Sequence, residues 1–246
     1  LLEASGFPLE EITRVAPVTC PPSIRDFYAF EEHVRRARSR RGLEVAKAWY
    51  DVPVFYFTNP AAVFGPHQGV PKPASTQKLD FELEVAWILG KEACSIPPEA
   101  AFDHIAGLTI MNDWSARDIQ AHEMQVGLGP SKGKDFATSL GPDLVTLDEL
   151  EPYRDGEHLD LTMTARINGE TVSEGNLADL HWTIPQMTAH ASRDTRLSPG
   201  DVLGTGTVGT GSILDLGTEA WLEPGDTVEL EVEHLGTLTN QVAPPG

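Results

Sequence analysis

Two glutamates, Glu82 and Glu84, stand two residues apart in the segment from Leu79 to Gly90, where the residues around them are mostly apolar. Side chains two residues apart in a β-strand point to the same face, and here both faces of the predicted strand look covered. Two carboxylates that enter a buried surface repel each other and lose hydration unless a cation or protons compensate. The pattern therefore indicates half of a metal site, and an edge strand with one solvated face is the alternative.

Carboxylates from other segments could complete this site. Asp26 and Asp113, together with Glu82 and Glu84, give four potential oxygen ligands from three segments of the chain. Oxygen ligands without cysteine or paired histidine favour Mg²⁺, Ca²⁺ or Mn²⁺ over zinc. Four acids around one divalent ion leave excess negative charge. Two nearby basic residues could offset that charge and hold an anionic substrate, namely Arg117 and Lys134.

The first of these acids falls in a segment with a helix-start signal. Ser23-Ile-Arg-Asp26 has the form of a capping box, which predicts a helix from Ser23 to about Arg41 with Asp26 and His33 on one face. Several arginines follow between Arg35 and Arg41. Such a run is typical of a solvated helix face, and a mobile lid over an anionic substrate is the alternative.

A polar stripe follows the apolar segment 102–111, which suits a buried strand or a short helix. Asp113, Arg117 and Gln120 stand at i, i+4 and i+7, so the spacing predicts one face of a single helix. An exposed face with an Asp–Arg pair is the other interpretation. The junction between an apolar segment and a helix favours a functional site.

The rest of the chain is punctuated by turn signals. Asn168-Gly169 predicts a hairpin, and the two Pro-Gly-Asp turns at 199–201 and 224–226 each introduce a predicted strand. Together they predict a curled, mostly antiparallel sheet system. The remaining predictions are strands at 52–57, 79–89, 159–167, 170–174, 201–204 and 227–233, a proline-rich loop at 64–73, and a helix at 181–190 interrupted by Pro185.

Composition limits the classes of function. With 18 basic and 37 acidic residues among 246, the formal charge of −19 argues against nucleic acid and anionic membranes as partners. Two cysteines, Cys20 and Cys94, form no disulfide framework, which favours a reducing cytoplasm. No membrane-spanning run or signal peptide is visible. We expect an extended N-terminal segment, 1–22, and one catalytic domain, 23–246.

The glycine-rich segment Gly204-Thr-Gly206-Thr-Val-Gly209 has the letters of a dinucleotide fingerprint. That motif must open a helix in a βαβ unit, and the later Gly211, Gly217 and Pro224 leave no room for one. The glycines instead predict a tight loop that approaches a ligand or another backbone segment.

Several motifs together resemble the fumarylacetoacetate hydrolase family. They are Asp26-Phe-Tyr28 with His33 seven residues after Asp26, Asp80-Phe-Glu82-Leu-Glu84, Met111-Asn-Asp113-Trp-Ser-Ala-Arg117-Asp-Ile-Gln120, Leu128-Gly-Pro, Gly133-Lys134 and Gly204-Thr-Gly-Thr207. The resemblance implies a predominantly β, α+β fold, which is a rolled mixed β-sandwich or distorted β-barrel with a few peripheral helices. It also implies a homodimer.

The resemblance also implies roles for individual residues. His33 would be the general base, and the metal ligands would be Asp26, Glu82, Glu84 and Asp113. The substrate site would be lined by Tyr28, Tyr56, Arg117, Gln120, Lys134 and Thr207. Where the fumarylacetoacetases orient the base histidine with a glutamate, the best match here is Asp215, which is one methylene shorter. The 25 residues before Asp26 leave no room for the separate N-terminal domain of those enzymes, so we expect a substrate other than fumarylacetoacetate.

Together with these residues, the resemblance implies Mg²⁺-dependent (or Ca²⁺- or Mn²⁺-dependent) hydrolysis of a carbon–carbon bond in a 2,4-dioxo acid or β-diketone, a small anionic keto-acid substrate. His33, oriented by Asp215, would remove a proton from water, while Lys134 and Gln120 stabilise the oxyanion. The alternatives on the same site are isomerisation of a 2-hydroxy-dienoate and decarboxylation of a β-keto acid such as oxaloacetate. A non-catalytic metal- or ligand-binding protein is a third hypothesis.

Overall fold

A computed structural model describes residues 12–40 and 42–246 of the chain. Residues 12–22 of the predicted N-terminal segment contain no helix or strand. The rest of the predicted segment, 1–11, lies outside the described residues, as does Arg41 at the end of the arginine run.

The larger of two main sheets has seven strands in the order β2-β1-β16-β6-β8-β10-β3. The pairs β1–β16 and β10–β3 are parallel and the others are antiparallel, so the sheet is mixed. The strands are β1 (Ile24–Phe27), β2 (Phe55–Thr58), β3 (Val63–Phe64), β6 (Leu83–Leu89), β8 (Ile105–Asp113), β10 (Thr138–Val145) and β16 (Val202–Gly204).

Strand β6 lies at the centre of this sheet, and every one of its residues is buried. Val85 and Trp87 on one face belong to the main hydrophobic core, whereas Ala86 and Ile88 on the other face pack in a second cluster with Met111. The prediction that both faces are covered is therefore confirmed, and the edge-strand alternative is wrong.

The second main sheet has five strands in the order β14-β13-β17-β18-β4, and it shares the main core with the first. Asn168 and Gly169 have φ values of 53° and 82° between β13 and β14, which confirms the predicted hairpin. The Pro-Gly-Asp turns precede β16 and β17 as expected. The strands are β4 (Gly69–Pro71), β13 (Thr162–Ile167), β14 (Glu170–Asn176), β17 (Thr227–Val232) and β18 (Gly236–Ala243).

Short strand pairs and helices complete the described structure. The short strands are β5 (Leu79–Asp80), β7 (Ala93–Cys94), β9 (Ser115–Ala116), β11 (Arg154–Asp155), β12 (His158–Leu159) and β15 (Arg196–Leu197). The α-helices are α1 (Glu31–Ser39), α2 (Arg117–Glu123), α3 (Leu147–Leu150), α4 (Ile184–Ser192) and α5 (Ile213–Leu216). Turns of 3₁₀-helix lie at Lys47–Tyr50, Pro98–His104, Met124–Val126, Glu151–Tyr153 and Leu177–Asp179.

The predicted helix from Ser23 is wrong at its start. Ser23 donates a hydrogen bond to Asp201 Oδ1 at 2.7 Å, and the residues after it form β1 between β2 and β16. Backbone pairing on both sides and burial of Ile24 outweigh the local capping signal, because tertiary context overrides propensity. Asp26 therefore lies on a strand, and only His33 lies on the helix α1.

Other local predictions also need correction. Asp113 ends strand β8, so it does not share a helix with Arg117 and Gln120, which lie on α2. Pro185 occupies the first turn of α4, where a proline is tolerated, and does not interrupt it. The proline-rich loop 64–73 contains the short strand β4, whose parallel pairing with β18 places it at a sheet edge.

Both cysteines are free, and both are exposed. In the described ranges, 12–40 and 42–246, no helix combines the length and apolarity that a membrane span requires.

Candidate active site

Four buried carboxylates lie close together on the large sheet. Asp26 is on β1, Glu84 is on β6 and Asp113 ends β8, while Glu82 lies between β5 and β6. Asp26 pairs with Gly204 across β1 and β16, and Gly204 pairs with Ala86 two residues beyond Glu84. One ligand oxygen from each acid lies within 4.8 Å of the others. The cluster consists of Asp26, Glu82, Glu84 and Asp113, as the sequence predicted.

Glycines leave the space that these side chains fill. A Cβ atom at Gly204 would clash with Met111 Cε and would lie 2.7 Å from Asp26 Oδ1 and 3.0 Å from Glu84 Oε2. Gly206, with φ of 81°, donates its backbone N–H to the same two carboxylate oxygens at 3.2 Å each. The glycine-rich segment thus approaches the site with its backbone, as the sequence predicted.

Burial makes this cluster difficult to ionise. It raises the pKa of Asp26 well above its usual range, and the nearby Asp113 raises it further. Burial and the carboxylate of Asp26 do the same to the pKa of Glu84. The pKa of Asp113 is also raised by burial, although Lys134 opposes the shift. These acids need a compensating cation if they are to be ionised together.

Two basic residues neutralise part of the charge. Lys134 Nζ donates to Glu82 Oε2 and to Asp113 Oδ2, the latter at 2.6 Å. Arg117 Nη2 donates to Glu82 Oε1 at 2.7 Å. Burial alone would raise the pKa of Glu82, but these two cations outweigh it and hold the pKa below its usual range. Glu82 is therefore compensated by the protein, whereas Asp26 and Glu84 both accept the backbone N–H of Gly206.

The donor set fits a divalent cation. All four groups are hard oxygen donors, and Asp113 Oδ1 is buried without a hydrogen-bond partner while Tyr56 donates to Oδ2 of the same carboxylate. A buried carboxylate oxygen without a donor is costly unless a metal ion satisfies it. Mg²⁺, Ca²⁺ and Mn²⁺ match such an oxygen-only site.

A histidine–aspartate pair lies beside the cluster. His33 Nδ1 and Asp215 Oδ2 are 2.6 Å apart, and both side chains are buried. Ser212 Oγ donates to the same Asp215 oxygen at 2.9 Å and accepts the backbone N–H of Asp215. Because Asp215 occupies Nδ1, the ring nitrogen left for proton transfer is Nε2. The short aspartate side chain therefore does reach His33.

Three of the four carboxylates, Asp26, Glu82 and Glu84, line together with His33 one cavity of about 400 Å³, a size typical of small-molecule sites. Tyr28 lies edge-on to the His33 ring, with the ring centres 5.2 Å apart. Thr207 Oγ1 lies 3.5 Å from Glu84 Oε1, and Gln120 Oε1 accepts a hydrogen bond from Arg117. The cavity lining includes Tyr28, His33, Tyr56, Arg117, Gln120, Lys134 and Thr207. Another cavity, of about 440 Å³, lies beside α4 and is lined by none of these residues.

The structure thus brings together every site residue that the sequence suggested. Sequence reasoning assigned no role to Asp80 or Ser212, although both contact site residues. Asp80 shares the strand alternation of Glu82 and Glu84, a signal that could have drawn attention to it.

Comparison with known proteins agrees with this geometry. Residues 23–243 match the family model described as Fumarylacetoacetate (FAA) hydrolase C-terminal. Human oxaloacetate tautomerase FAHD2A, mitochondrial, is 32% identical over 240 residues, covering 96% of this chain and 71% of that protein. Oxaloacetate tautomerase YisK of Bacillus subtilis is 34% identical over 196 residues, covering 77% of this chain. The match spans only 61% of the length of YisK.

A solved structure gives the same result at the level of the fold. The 5-carboxymethyl-2-hydroxymuconate delta-isomerase from Mycobacterium smegmatis superposes with a TM-score of 0.77 at 29% identity, covering 98% of this chain and 85% of that one. The predicted fold class, mostly β with a few peripheral helices, is confirmed by the two sheets and by this likeness. The match of the family model over nearly the whole length shows that the chain belongs to the fumarylacetoacetate hydrolase family.

Proposed function

We propose that this protein is a divalent-metal-dependent hydrolase that cleaves a carbon–carbon bond in a 2,4-dioxo acid or a related β-diketone. The observation that carries the proposal is the His33–Asp215 pair, whose histidine lines the same cavity as Asp26, Glu82 and Glu84 of the cluster. A base held next to a metal-binding site suits a reaction that begins with removal of a proton.

The four carboxylates would hold the cation, for which we propose Mg²⁺. When bound, such an ion supplies Lewis acidity and a binding point for adjacent substrate oxygens. His33 Nε2 takes the proton of the attacking water and returns it to the carbon atom that is released when the carbon–carbon bond breaks. Asp215 holds the imidazole in the required tautomer and stabilises its protonated form. Lys134 and Gln120 face the cavity, where an ammonium and an amide N–H can donate to a developing oxyanion.

Arg117 has a different task in this proposal. Its guanidinium donates to Asp80, Glu82 and Gln120 over distances of 2.7 to 3.1 Å. These bonds occupy its Nε, Nη1 and Nη2 groups, so we assign Arg117 to orienting Glu82 and Gln120. Its positive charge also favours a small anionic keto acid in the cavity.

Tautomerisation of a keto acid is a second candidate, favoured by the names of the relatives. The human and Bacillus subtilis relatives are named oxaloacetate tautomerases, and the Mycobacterium smegmatis structure is titled an isomerase. In that reaction His33 would move a proton between the enol oxygen and carbon, and no water would attack. Decarboxylation needs no base, so the buried His33–Asp215 pair gives it no support.

The test separates the two reactions by their products. Purified protein is incubated with acylpyruvates and with enol oxaloacetate in the presence of Mg²⁺ or excess EDTA, in ¹⁸O-labelled water and in D₂O. Hydrolysis gives two carboxylic fragments, one of which carries ¹⁸O. Tautomerisation gives one product with deuterium on carbon and no ¹⁸O in a new carboxylate. Absence of metal-dependent turnover with every compound would contradict both candidates for these substrates.

The role of His33 is tested by substitution. We expect His33→Ala to lower kcat by about 10²- to 10⁴-fold, the usual contribution of a general base, while the affinity for Mg²⁺ is retained. His104→Ala is the matched control, because His104 lies outside the cavity and bonds to a backbone carbonyl. Unchanged turnover in His33→Ala would exclude His33 as the base.

A further inference from the structure

Asp80 is a fully buried carboxylate whose two oxygens accept four hydrogen bonds. Oδ1 accepts the backbone N–H groups of Phe81 at 2.9 Å and Ile213 at 2.8 Å. Oδ2 accepts the backbone N–H of Leu214 at 3.1 Å and Arg117 Nε at 2.7 Å. All four partners are donors, so the ionised carboxylate satisfies every one of them.

Two of these donors belong to the helix that carries Asp215. Ile213 and Leu214 are the first residues of α5, a helix of four residues that is too short to be stable on its own. Ser212 Oγ caps the same turn and contacts Asp215. Asp80 therefore holds one side of the turn whose other side presents Asp215 to His33.

We propose that Asp80 is a positioning residue that fixes α5, and with it Asp215, at hydrogen-bonding distance from His33. The inference rests on the proposed function, in which His33 is the base, and adds the residue that holds the partner of that base in place. It differs from the roles of the four carboxylates of the cluster, because Asp80 is not one of them and its oxygens accept hydrogen bonds from α5 and Arg117.

An amide cannot replace this carboxylate. In Asp80→Asn, the side-chain NH₂ group would face donors on one side, either the N–H of Ile213 and Phe81 or the N–H groups of Leu214 and Arg117. At least one buried donor would lose its partner, and the first turn of α5 would shift to relieve the repulsion. A small displacement of Asp215 would lengthen and weaken its short hydrogen bond to His33. Because general-base catalysis depends on geometry, the rate of the reaction would then fall.

The first experiment measures kinetics in a double-mutant cycle. We expect Asp80→Asn to lower kcat by roughly 10- to 100-fold, the usual effect of losing a residue that orients a site group, with a much smaller change in KM. In the Asp215→Asn background the same substitution should lower kcat less than threefold, because the bond that it positions is already lost. Full multiplicativity of the two effects would overturn the proposal.

The second experiment does not depend on activity. The Nδ1 proton of His33, bonded to Asp215, should give a low-field proton signal in ¹⁵N-labelled protein, which His33→Ala identifies by its loss. We expect Asp80→Asn to shift or broaden this signal. An unchanged signal in a folded Asp80→Asn protein would overturn the positioning role even if the enzyme proves to be a tautomerase. Loss of activity in Asp80→Asn without turnover loss in His33→Ala would instead refute the proposed function.

Asp201→Asn is the matched control. Asp201 is also buried, lies 3.5 Å from an arginine, Arg25, and accepts a backbone N–H from Ser198 at 2.8 Å, yet it lies outside the cavity. Asp201→Asn should lower the melting temperature while leaving kcat and the His33 signal unchanged.

Asp80→Glu keeps the negative charge for Arg117 and moves the carboxylate relative to α5. It should reproduce the loss of kcat if the amide variant does not fold, and wild-type kcat in Asp80→Glu would overturn the proposal.

Discussion

The four carboxylates of the site are not equivalent. Glu82 accepts hydrogen bonds from Lys134 and Arg117, so the protein itself supplies the positive charge that keeps it ionised. Asp26 and Glu84 both accept the N–H of Gly206, and in the described residues neither accepts a hydrogen bond from a lysine or an arginine. The half of the cluster formed by Asp26 and Glu84 is therefore where the positive charge of a cation is most needed, since burial opposes ionisation of both acids.

Gly204 allows Asp26 and Glu84 to approach each other, and Gly204→Ala tests this. The added methyl group would lie 2.7 Å from Asp26 Oδ1 and 3.0 Å from Glu84 Oε2, so at least one ligand oxygen must move. We expect the affinity for Mg²⁺, measured by calorimetry, to fall by about tenfold or more, as for other disturbed ligand sets. Overpacking should also cost about 1–3 kcal/mol of the free energy of unfolding.

Gly69→Ala serves as the control for this substitution. A Cβ at Gly69 would meet no atom closer than Ala243 Cβ at 3.4 Å, which is an ordinary contact. Gly69→Ala should keep wild-type metal affinity. Wild-type affinity in Gly204→Ala would show that the ligand oxygens do not occupy the positions described.

At the level of elements, a helix-capping pattern in the sequence can compete with the pairing of β-strands, and at β1 the strand pairing determines the secondary structure. The Ser23 capping pattern predicted a helix, but β1 pairs with a strand on each side, and the free energy of two ladders exceeds that of one cap. At α4 the local signal does hold, because Thr183 and Gln186 form a complete capping box at the start of the helix. A T-x-x-Q pattern followed by an apolar stretch is the signal that defines the start of α4.

Thr183→Ala tests the start of α4. Thr183 Oγ1 accepts the N–H of Gln186 at 3.3 Å and donates to Glu157 at 2.8 Å. Loss of this cap should cost about 1 kcal/mol, the usual value for a threonine cap. For a domain of this size, the melting temperature should then fall by roughly 2–4 °C. Thr183→Ser keeps the hydroxyl and should retain most of the stability.

The helix α4 lies away from the carboxylate cluster, so Thr183→Ala should leave kcat and KM unchanged. An equal melting temperature for the alanine and threonine proteins would mean that Pro185 in the first turn, and not the capping box, sets where α4 starts.

At the scale of the whole molecule, the sequence was most informative where chemistry constrains residue types. The Glu82–Glu84 pair, the glycine-rich loop and the hairpin could all be predicted, because each depends on residues near one another in sequence. Asp80 could not be assigned in this way, because Ile213 and Leu214, the partners that define its role, lie more than 130 residues away. The homodimer implied by the family resemblance stays a prediction.

The stability of the metal-free protein should depend on pH through the buried acids. The pKa of Glu84 is raised in the folded state, so the folded protein keeps this proton to higher pH than the unfolded chain does. The unfolded state binds fewer protons above about pH 4, and the free energy of unfolding therefore decreases as the pH rises toward neutrality. Each unit by which the pKa is raised corresponds to about 1.4 kcal/mol.

Glu84→Gln removes this charge. Most substitutions of buried residues lower stability, but here we expect the opposite in the metal-free protein. In EDTA, we expect the variant to melt at the same temperature as the wild-type protein, or higher, with a difference that grows from pH 5 to pH 8. With Mg²⁺ at 100 times the dissociation constant, the wild-type protein should gain about 2.7 kcal/mol of stability, and the variant should gain far less. Glu229→Gln, on β17 and outside the cavity, is the control for the loss of one negative charge. A Glu84→Gln protein that is less stable than wild type in EDTA throughout this pH range would contradict this prediction. It would mean that repulsion between the buried carboxylates does not destabilise the metal-free protein.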